Sequence, residues 1–310
     1  MTQPERLHLL GEKTSLERMI AETPADDVID RASLGARLAV VERALAQSPH
    51  DEREPARVRL TFKGRPVIGN QGIFAAFGSK AVSGFTEAVA AVGASQAGPL
   101  SATGPIPGRA QHQLLITSTA IGSFGFELEE HRTGQLLLGE PSPVAQALEQ
   151  TQRLLAATLG SDDELADSAC EADRRALDRV RAFLQTLADN EAICTVQVGA
   201  SVVAFTNVGQ VRASIARLSD ENLREEETEL EGELQGVLPK ARAFEFRLRD
   251  SDQVIRGKIG AAVVDPDALN AQLHRPARIK VAVTQVGSGR PRYLLLGAPA
   301  DAAEGPPQEP

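Results

Sequence analysis

The chain has 310 residues, of which 42% are hydrophobic and 24% charged, the composition of an ordinary globular protein with room for about two or three domains. Its net charge of −9, the absence of Trp and the single Tyr disfavour a surface for nucleic acid. No apolar run approaches the roughly 18 residues that cross a bilayer, and the N-terminus shows no secretory signal, so we expect a cytoplasmic protein without a membrane segment.

The first predicted elements are two helices near the N-terminus. Thr14 and Glu17 have capping-box spacing, which predicts that a short helix begins at Thr14 and ends before Pro24. In the helix that follows, apolar residues recur at spacings of 4, 3 and 4, at Leu34, Leu38, Val41 and Leu45. We expect this stripe to pack within the chain against the preceding helix. Pairing of the stripe with a second copy of the chain is the alternative, and the oligomeric state stays open.

The strand and helix patterns of residues 14–140 predict a mixed α/β domain. Alternating apolar residues in 56–64 predict a half-buried strand with Val58, Leu60 and Phe62 on its inner side. A helical segment follows from residue 79, and 112–130 predicts a β-hairpin.

Within that domain, GNQGIFAAFGSKAVSGF (69–85) has the spaced glycines and the lysine of a phosphate-binding loop. Such a loop needs G-x-x-x-x-G-K-[ST], so that backbone amides surround the phosphates and the lysine reaches them. Counting from Gly72 places Phe77 at the second glycine, and Lys80 follows Ser79 instead of preceding a hydroxyl. The order therefore predicts that Gly78 ends an extended segment, that Ser79 caps a helix, and that no nucleotide or other cofactor binds here.

Residues 141–222 predict a helical hairpin followed by a strand–helix segment. Ser142 and Pro143 begin the first helix, Gly160 makes the turn, and Ser161 begins a second helix that we expect to run unbroken to residue 190. The segment then continues as strands over 192–199 and 202–205 and a helix over 207–218.

Residues 223–297 predict a small five-stranded barrel, because the order β-β-β-α-β-β is typical of OB-like and SH3-like barrels. Its core is predicted to contain Leu230, Leu234, Leu238, Phe244, Phe246 and Leu294. The acidic first strand presents Glu227, Glu229, Glu231 and Glu233 outward, and we expect these to pair with Arg247, Arg249, Arg256 and Lys258 on the next two strands. The Pro-rich tail, 298–310, is predicted to be disordered. The fold class is therefore α+β.

Glu129 and His131 form the best local set of titratable groups. Alternate residues of a strand share a face, so His131 could act as a base oriented by Glu129, and the simpler alternative is an exposed strand end. The histidines are scattered, and Cys170 and Cys194 stand apart, so no metal site is expected. No G-x-S-x-G motif occurs, so the sequence does not support the common class of serine hydrolases that carries this motif.

The leading hypothesis is a cytoplasmic, bacterial-type, non-catalytic binding or adaptor protein. It would act by binding a macromolecular partner, which we expect to be a protein. One alternative is a hydrolase whose site is assembled from dispersed Glu, Asp and His side chains. The other alternative is nucleic-acid binding through the barrel, which the net charge of −9, the missing Trp and the acidic barrel strand all disfavour. The choice between an OB-like and an SH3-like barrel stays open.

Overall fold

A computed structural model describes residues 3–24, 27–47, 55–101, 103–120, 124–131 and 141–301. The chain begins with a helical hairpin of α1 (Gln3–Glu22) and α2 (Val28–Gln47). The predicted capping box is wrong, because Thr14 lies in the middle of α1 and its hydroxyl donates to the carbonyl of Leu10 at 3.0 Å. A threonine inside a helix satisfies its hydroxyl on a carbonyl four residues back, so it does not mark a helix start.

The apolar stripe of α2 packs against α1, as expected. Val41 is buried, as is Leu16 of α1, and the other three stripe residues are half-buried. Ion pairs close both sides of this interface, Lys13 with Glu42 at 3.0 Å and Arg37 with Glu12 at 2.6 Å. Within the described residues, the extensive contacts of α1 and α2 are with each other.

A five-stranded antiparallel sheet organises the next part of the chain. Its strands are β1 (Arg57–Gly64), β4 (Leu114–Ala120), β5 (Gly125–Glu130), β6 (Ala192–Val198) and β7 (Ser201–Ala204). They lie in the order β4-β5-β1-β6-β7. A two-stranded ribbon after β1 consists of β2 (Val67–Ile68) and β3 (Gly72–Ile73). The predicted strand, with Val58, Leu60 and Phe62 buried, is confirmed.

The helices of this part of the chain share one buried apolar cluster with the inner side of the sheet. They are α3 (Ala75–Ala97), α4 (Pro143–Leu159), α5 (Asp162–Ala169), α6 (Arg174–Asp189) and α7 (Val208–Arg217), with a 3₁₀ turn at Arg109–His112. Helix α3 packs against both α4 and α6, and ring contacts at 5.5 Å join Phe62 to Phe77 and Phe85 to Phe183. None of the helices in the described residues is long and apolar enough to cross a membrane.

The predicted unbroken helix from Ser161 to residue 190 is wrong. Helix α5 ends at Ala169, and α6 begins at Arg174, where the carboxylate of Asp173 accepts the amide of Arg175 at 2.8 Å as an N-cap. Asp173 also accepts the amide of Leu100 at 2.9 Å. The expected two-helix hairpin is therefore three helices, and the last of them, α6, packs on α3.

The C-terminal part is a closed five-stranded barrel, so the coarse α+β prediction is confirmed. Its strands are β8 (Leu223–Leu238), β9 (Ala243–Leu248), β10 (Val254–Ile259), β11 (Pro276–Val286) and β12 (Arg292–Leu295), with a 3₁₀ helix at Asp267–Gln272. The antiparallel series β12-β11-β8-β9-β10 closes through a parallel pairing of β10 with β12. In the tail predicted to be disordered, β13 (Ala300–Asp301) pairs with β11, and residues 302–310 lie outside the described residues.

The barrel core differs from the prediction at two positions. Leu234, Phe244 and Phe246 are buried as predicted, but a register shift after Leu234 turns Val237 inward and leaves Leu238 64% exposed. A β-bulge adds one residue to a strand and so reverses the face of every later side chain.

At the other end of the barrel, Leu295 is fully buried, whereas the predicted Leu294 is half-buried on the outer side. Three consecutive leucines, 294–296, hide the phase of the alternation from the sequence.

The barrel is joined to the sheet domain by a charged and partly apolar junction. Leu223 and Val286, at the ends of β8 and β11, belong to the same buried cluster as the sheet domain. Arg292 contacts Asp163, at 3.4 Å, and Asp167 on α5. The domain boundaries at 140, 222 and 297 stay a prediction.

Replacing Leu295 with Ala should cost about 2–5 kcal/mol of unfolding free energy, because a fully buried leucine is lost from the barrel core. The neighbouring Leu294→Ala is the matched control and should cost under about 1 kcal/mol, since Leu294 is half-buried on the outer side. Urea unfolding of both variants measures the difference. A larger loss at Leu294 would show that the register of β12 is shifted by one residue.

Candidate functional site

The predicted candidate Glu129 lies at the end of β5 and is held by Arg57. The two residues face each other across β5 and β1, and the Nε atom of Arg57 is 3.4 Å from Oε2 of Glu129. Glu129 is only 1% exposed, whereas the Arg57 side chain is 43% exposed. The buried carboxylate therefore anchors a guanidinium group whose other side faces solvent.

The neighbouring acidic residue is also structural. Glu130 is buried on the opposite face of the sheet, where Oε2 accepts the backbone amide of Ala56 at 3.2 Å. His131 is exposed, and its backbone amide donates to the carbonyl of Gln113 at 3.1 Å. The structure thus pairs Glu129 with Arg57 and places His131 at an exposed strand end, the simpler of the two alternatives that the sequence left open.

A cavity of about 480 Å³ lies beside Arg57. Its walls come from the start of β1, from α4 and from the two-residue turn between β6 and β7, Gly199 and Ala200. Gly199 has φ 56°, a left-handed conformation that glycine adopts without strain. The cavity therefore joins residues that are far apart in sequence, and the alternation pattern of each element gave no sign of it.

Gln152 fixes the geometry of that cavity. Its side chain is buried, and Nε2 donates to the carbonyl of Val196 at 3.2 Å and to that of Ser201 at 2.7 Å. These two bonds tie α4 to both strands that flank the turn. Both amide hydrogens are thereby used, and Oε1 remains as the polar atom that Gln152 can offer to a ligand.

Charged groups stand at the cavity mouth. Glu149 and Arg153 are exposed, one turn apart on α4, and both line the cavity with Arg57. In the part of the chain that the structure describes, the side chains of Glu149 and Arg153 form no ion pair and no hydrogen bond. Arg153 is therefore a cation available to an incoming group.

Metal and thiol chemistry have little support in this geometry. The described ranges contain no group of three or more His, Cys, Asp or Glu side chains that could hold a metal ion. Both cysteines are free and buried. Burial raises the pKa of Cys170 to about 12 and the pKa of Cys194 further, so both thiols stay protonated at neutral pH and are poor nucleophiles.

The residues that resembled a phosphate loop lie in and before a helix. Helix α3 already begins at Ala75, since the amide of Gly78 donates to the carbonyl of Phe74 at 2.9 Å. The expectations that Gly78 ends an extended segment and that Ser79 caps the helix are therefore wrong. A side chain at position 78 would press against Ile73 at 3.3 Å, which explains the glycine by packing.

Among the described residues, His112 is a buried histidine, which the sequence did not distinguish from the other histidines. It is 6% exposed, and its ring fills the space beside Gly93, where an added Cβ would lie 2.2 Å from the imidazole. Burial lowers the pKa of His112, although the contact of its Nδ1 with the carbonyl of Gly108 opposes that effect. His112 is therefore neutral at physiological pH and packs as a core residue.

The acidic row of β8 is paired, with one of the expected partners and otherwise with residues of β11. Glu227 contacts Lys280 at 2.6 Å, and Glu231 contacts Arg278 at 2.8 Å, both on β11. Glu231 also contacts the predicted Arg249 at 3.4 Å. Strand β11 lies beside the acidic half of β8, whereas β9 pairs with the other half, so β11 supplies most of the counter-charges.

Of the other predicted partners, Arg256 pairs with Glu245 at 2.8 Å and Lys258 with Glu171 at 3.2 Å. The row is thus part of the barrel's own charge pairing.

No family model matches the chain, and no curated protein is similar to it in sequence. Function is therefore inferred from the geometry of the chain itself.

Replacing Arg57 with Met should destabilise the fold by about 1–3 kcal/mol, because the buried carboxylate of Glu129 loses a charged partner. Arg65→Met is the control, since Arg65 is 80% exposed and 3.9 Å from Glu191. That control should change stability by no more than about 0.5 kcal/mol. Equal losses in denaturant titrations of the two variants would contradict the role given to Arg57.

His112 should make stability depend on pH. The folded protein binds this proton less tightly than the unfolded chain does, so the unfolding free energy falls as pH drops below the ordinary histidine value of about 6.5. His112→Gln should remove that part of the pH dependence, and His131→Gln, at an exposed site, should retain it. Urea unfolding between about pH 5 and pH 8 tests this. Identical pH profiles for wild type and His112→Gln would refute it.

Proposed function

We propose that the protein is a non-catalytic binding protein that docks on a protein partner through its N-terminal helical hairpin. The first partner we propose is a second copy of the same chain. The observation that carries the proposal is the set of large apolar side chains that the hairpin leaves in solvent: Leu10, Met19, Val28, Ile29 and Val40.

Part of this set forms a second stripe on α2. Ile29 is 82% exposed and Val40 51% exposed, and Ala36 is exposed between them. Spacings of seven and four residues place all three on one side of the helix. The stripe that includes Val41 already faces α1, so α2 is apolar on two sides. A helix of that kind is typical of a bundle with more than two members.

The charges of the hairpin favour a second copy as the occupant. Acidic and basic side chains alternate along α1 and α2 and nearly balance, whereas the whole chain carries −9. Two hairpins can therefore approach with little repulsion and pair across a two-fold axis into a four-helix bundle.

The hydrolase alternative has less support. Glu129 is paired with Arg57, and the exposed His131 does not line the cavity beside Arg57. A general base needs to lie within hydrogen-bond reach of the proton that it takes, in a site that holds a substrate.

We also propose that the barrel is of the OB type. Support comes from the parallel pairing of its third and fifth strands, β10 and β12, with a short helix between the third and fourth strands. On its second and third strands, where OB barrels bind oligonucleotides, the outward side chains include Arg247, Arg256 and Glu245, and Phe244 and Phe246 lie inside. Nucleic-acid binding is therefore the weaker proposal.

A cytoplasmic location is part of the proposal. Its support is that both cysteines are free thiols, as is usual in a reducing compartment.

Multi-angle light scattering of the full-length protein should give the mass of a dimer. The double variant Ile29→Glu/Val40→Glu should be a monomer with an unchanged circular-dichroism spectrum. The two glutamates face solvent in the monomer, and only dimerisation would bury their charges without partners. The matched control is Val202→Glu/Val264→Glu, which changes two exposed valines outside the hairpin, 57% and 90% exposed, and should remain a dimer. A monomeric wild type, or a double variant that still dimerises, would overturn the proposal.

A further inference from the structure

We infer that the second copy docks with its α2 antiparallel to the α2 of the first copy, and that Asp30 and Arg37 select this orientation. The inference rests on the proposed function, because it specifies how the exposed stripe of α2 is covered. It follows from the spacing of the apolar residues, from the charges beside them and from the end of the helix at which the chain continues.

The exposed stripe of α2 is complementary to itself when two copies run in opposite directions. Its two large side chains are Ile29, 82% exposed, and Val40, 51% exposed. In an antiparallel pair each Ile29 packs on Val40 of the second copy, and the two-fold axis passes midway between these positions. Near the axis the same side of α2 carries Ser33 and Ala36, both exposed, whose small side chains let the two helices approach closely.

Two charged residues beside the stripe favour the antiparallel orientation. Asp30 and Arg37 are two helical turns apart, so they lie on one side of α2. When Ile29 faces Val40 of the second copy, Asp30 of each chain lies within about one turn of Arg37 of the other. Asp30 is exposed and forms no ion pair within the described residues, and Arg37 contacts Glu12 with a side chain that stays 58% exposed. Two ion pairs can therefore form across the axis.

A parallel pair offers no such match. Equal residues of the two copies would then lie at the same height, so Asp30 would be level with Asp30 and Arg37 with Arg37, and like charges across an interface are unfavourable. The helix dipoles would also point in the same direction, whereas antiparallel dipoles attract. Exposed ion pairs add little affinity, so apolar burial supplies most of the strength and the charges select the orientation.

The position of the sheet domain agrees with the antiparallel orientation. Helix α2 ends at Gln47, and the sheet domain begins with β1 at Arg57. The 20 residues of α2 make a helix about 30 Å long. Antiparallel helices place the two sheet domains beyond opposite ends of the pair, whereas parallel helices would direct both toward the same space.

Cysteine crosslinking of the full-length protein tests the orientation. Ile29→Cys and Val40→Cys are treated with a short bismaleimide, singly and after subunit exchange, with wild type as the control because Cys170 and Cys194 are buried. Only the mixture should give a crosslinked dimer, since the two copies of residue 29 are about 16 Å apart along the antiparallel helices.

Crosslinks within each single variant would show a parallel pair. That result, or no crosslink in a protein that light scattering shows to be a dimer, would overturn this inference and leave the proposed dimer intact. A monomeric wild type would instead overturn the proposed function itself.

Charge reversal tests the two selecting residues. Asp30→Arg should raise the dimer dissociation constant about tenfold in analytical ultracentrifugation, because like charges replace both ion pairs. Adding Arg37→Asp should restore the wild-type value, since the pairs form again with their signs exchanged. The matched control adds Arg18→Asp to Asp30→Arg; Arg18 is exposed on α1, and this variant has the same composition but should stay weak. Equal rescue by the two second changes, or no weakening by Asp30→Arg, would overturn the role of these residues.

Discussion

Burial of the inner side of β1 is the interaction on which the rest of the sheet domain depends. Val58, Leu60 and Phe62 are at most 1% exposed, and β5 and β6 pair on either side of this strand. Because side chains alternate along a strand, fixing those three residues inward also fixes Arg57 on the outer face. The same register then places Glu129 opposite Arg57. The position of the candidate site is thus a consequence of how the core packs.

Helix α3 transmits that order to the rest of the chain. It lies on the sheet through the contact of Phe77 with Phe62 and contacts both α4 and α6. Helix α4 brings Gln152 to the β6–β7 turn, and α5, which follows it, carries the acidic residues that meet Arg292 of the barrel. The cavity and the barrel junction are therefore positioned by consecutive helices of one packed layer.

The proposed binding surface of the N-terminal hairpin has an apolar basis. It would bind by burying apolar area that α2 cannot cover with one neighbouring helix. Because the strength of that interaction comes from apolar area and not from charge, salt should leave it nearly unchanged.

The sequence by itself determined most elements, because strand and helix periodicities are local properties. It predicted β1, α4, α7 and the five barrel strands, with Phe244 and Phe246 inside. Tertiary structure alone decided the bulge after Leu234, the break before α6 and the helical position of Ser79, since each depends on hydrogen bonds or packing with distant residues. It also decided the candidate site: one strand pairing joins Glu129 to Arg57, and no spacing within a single element encodes a contact between two strands.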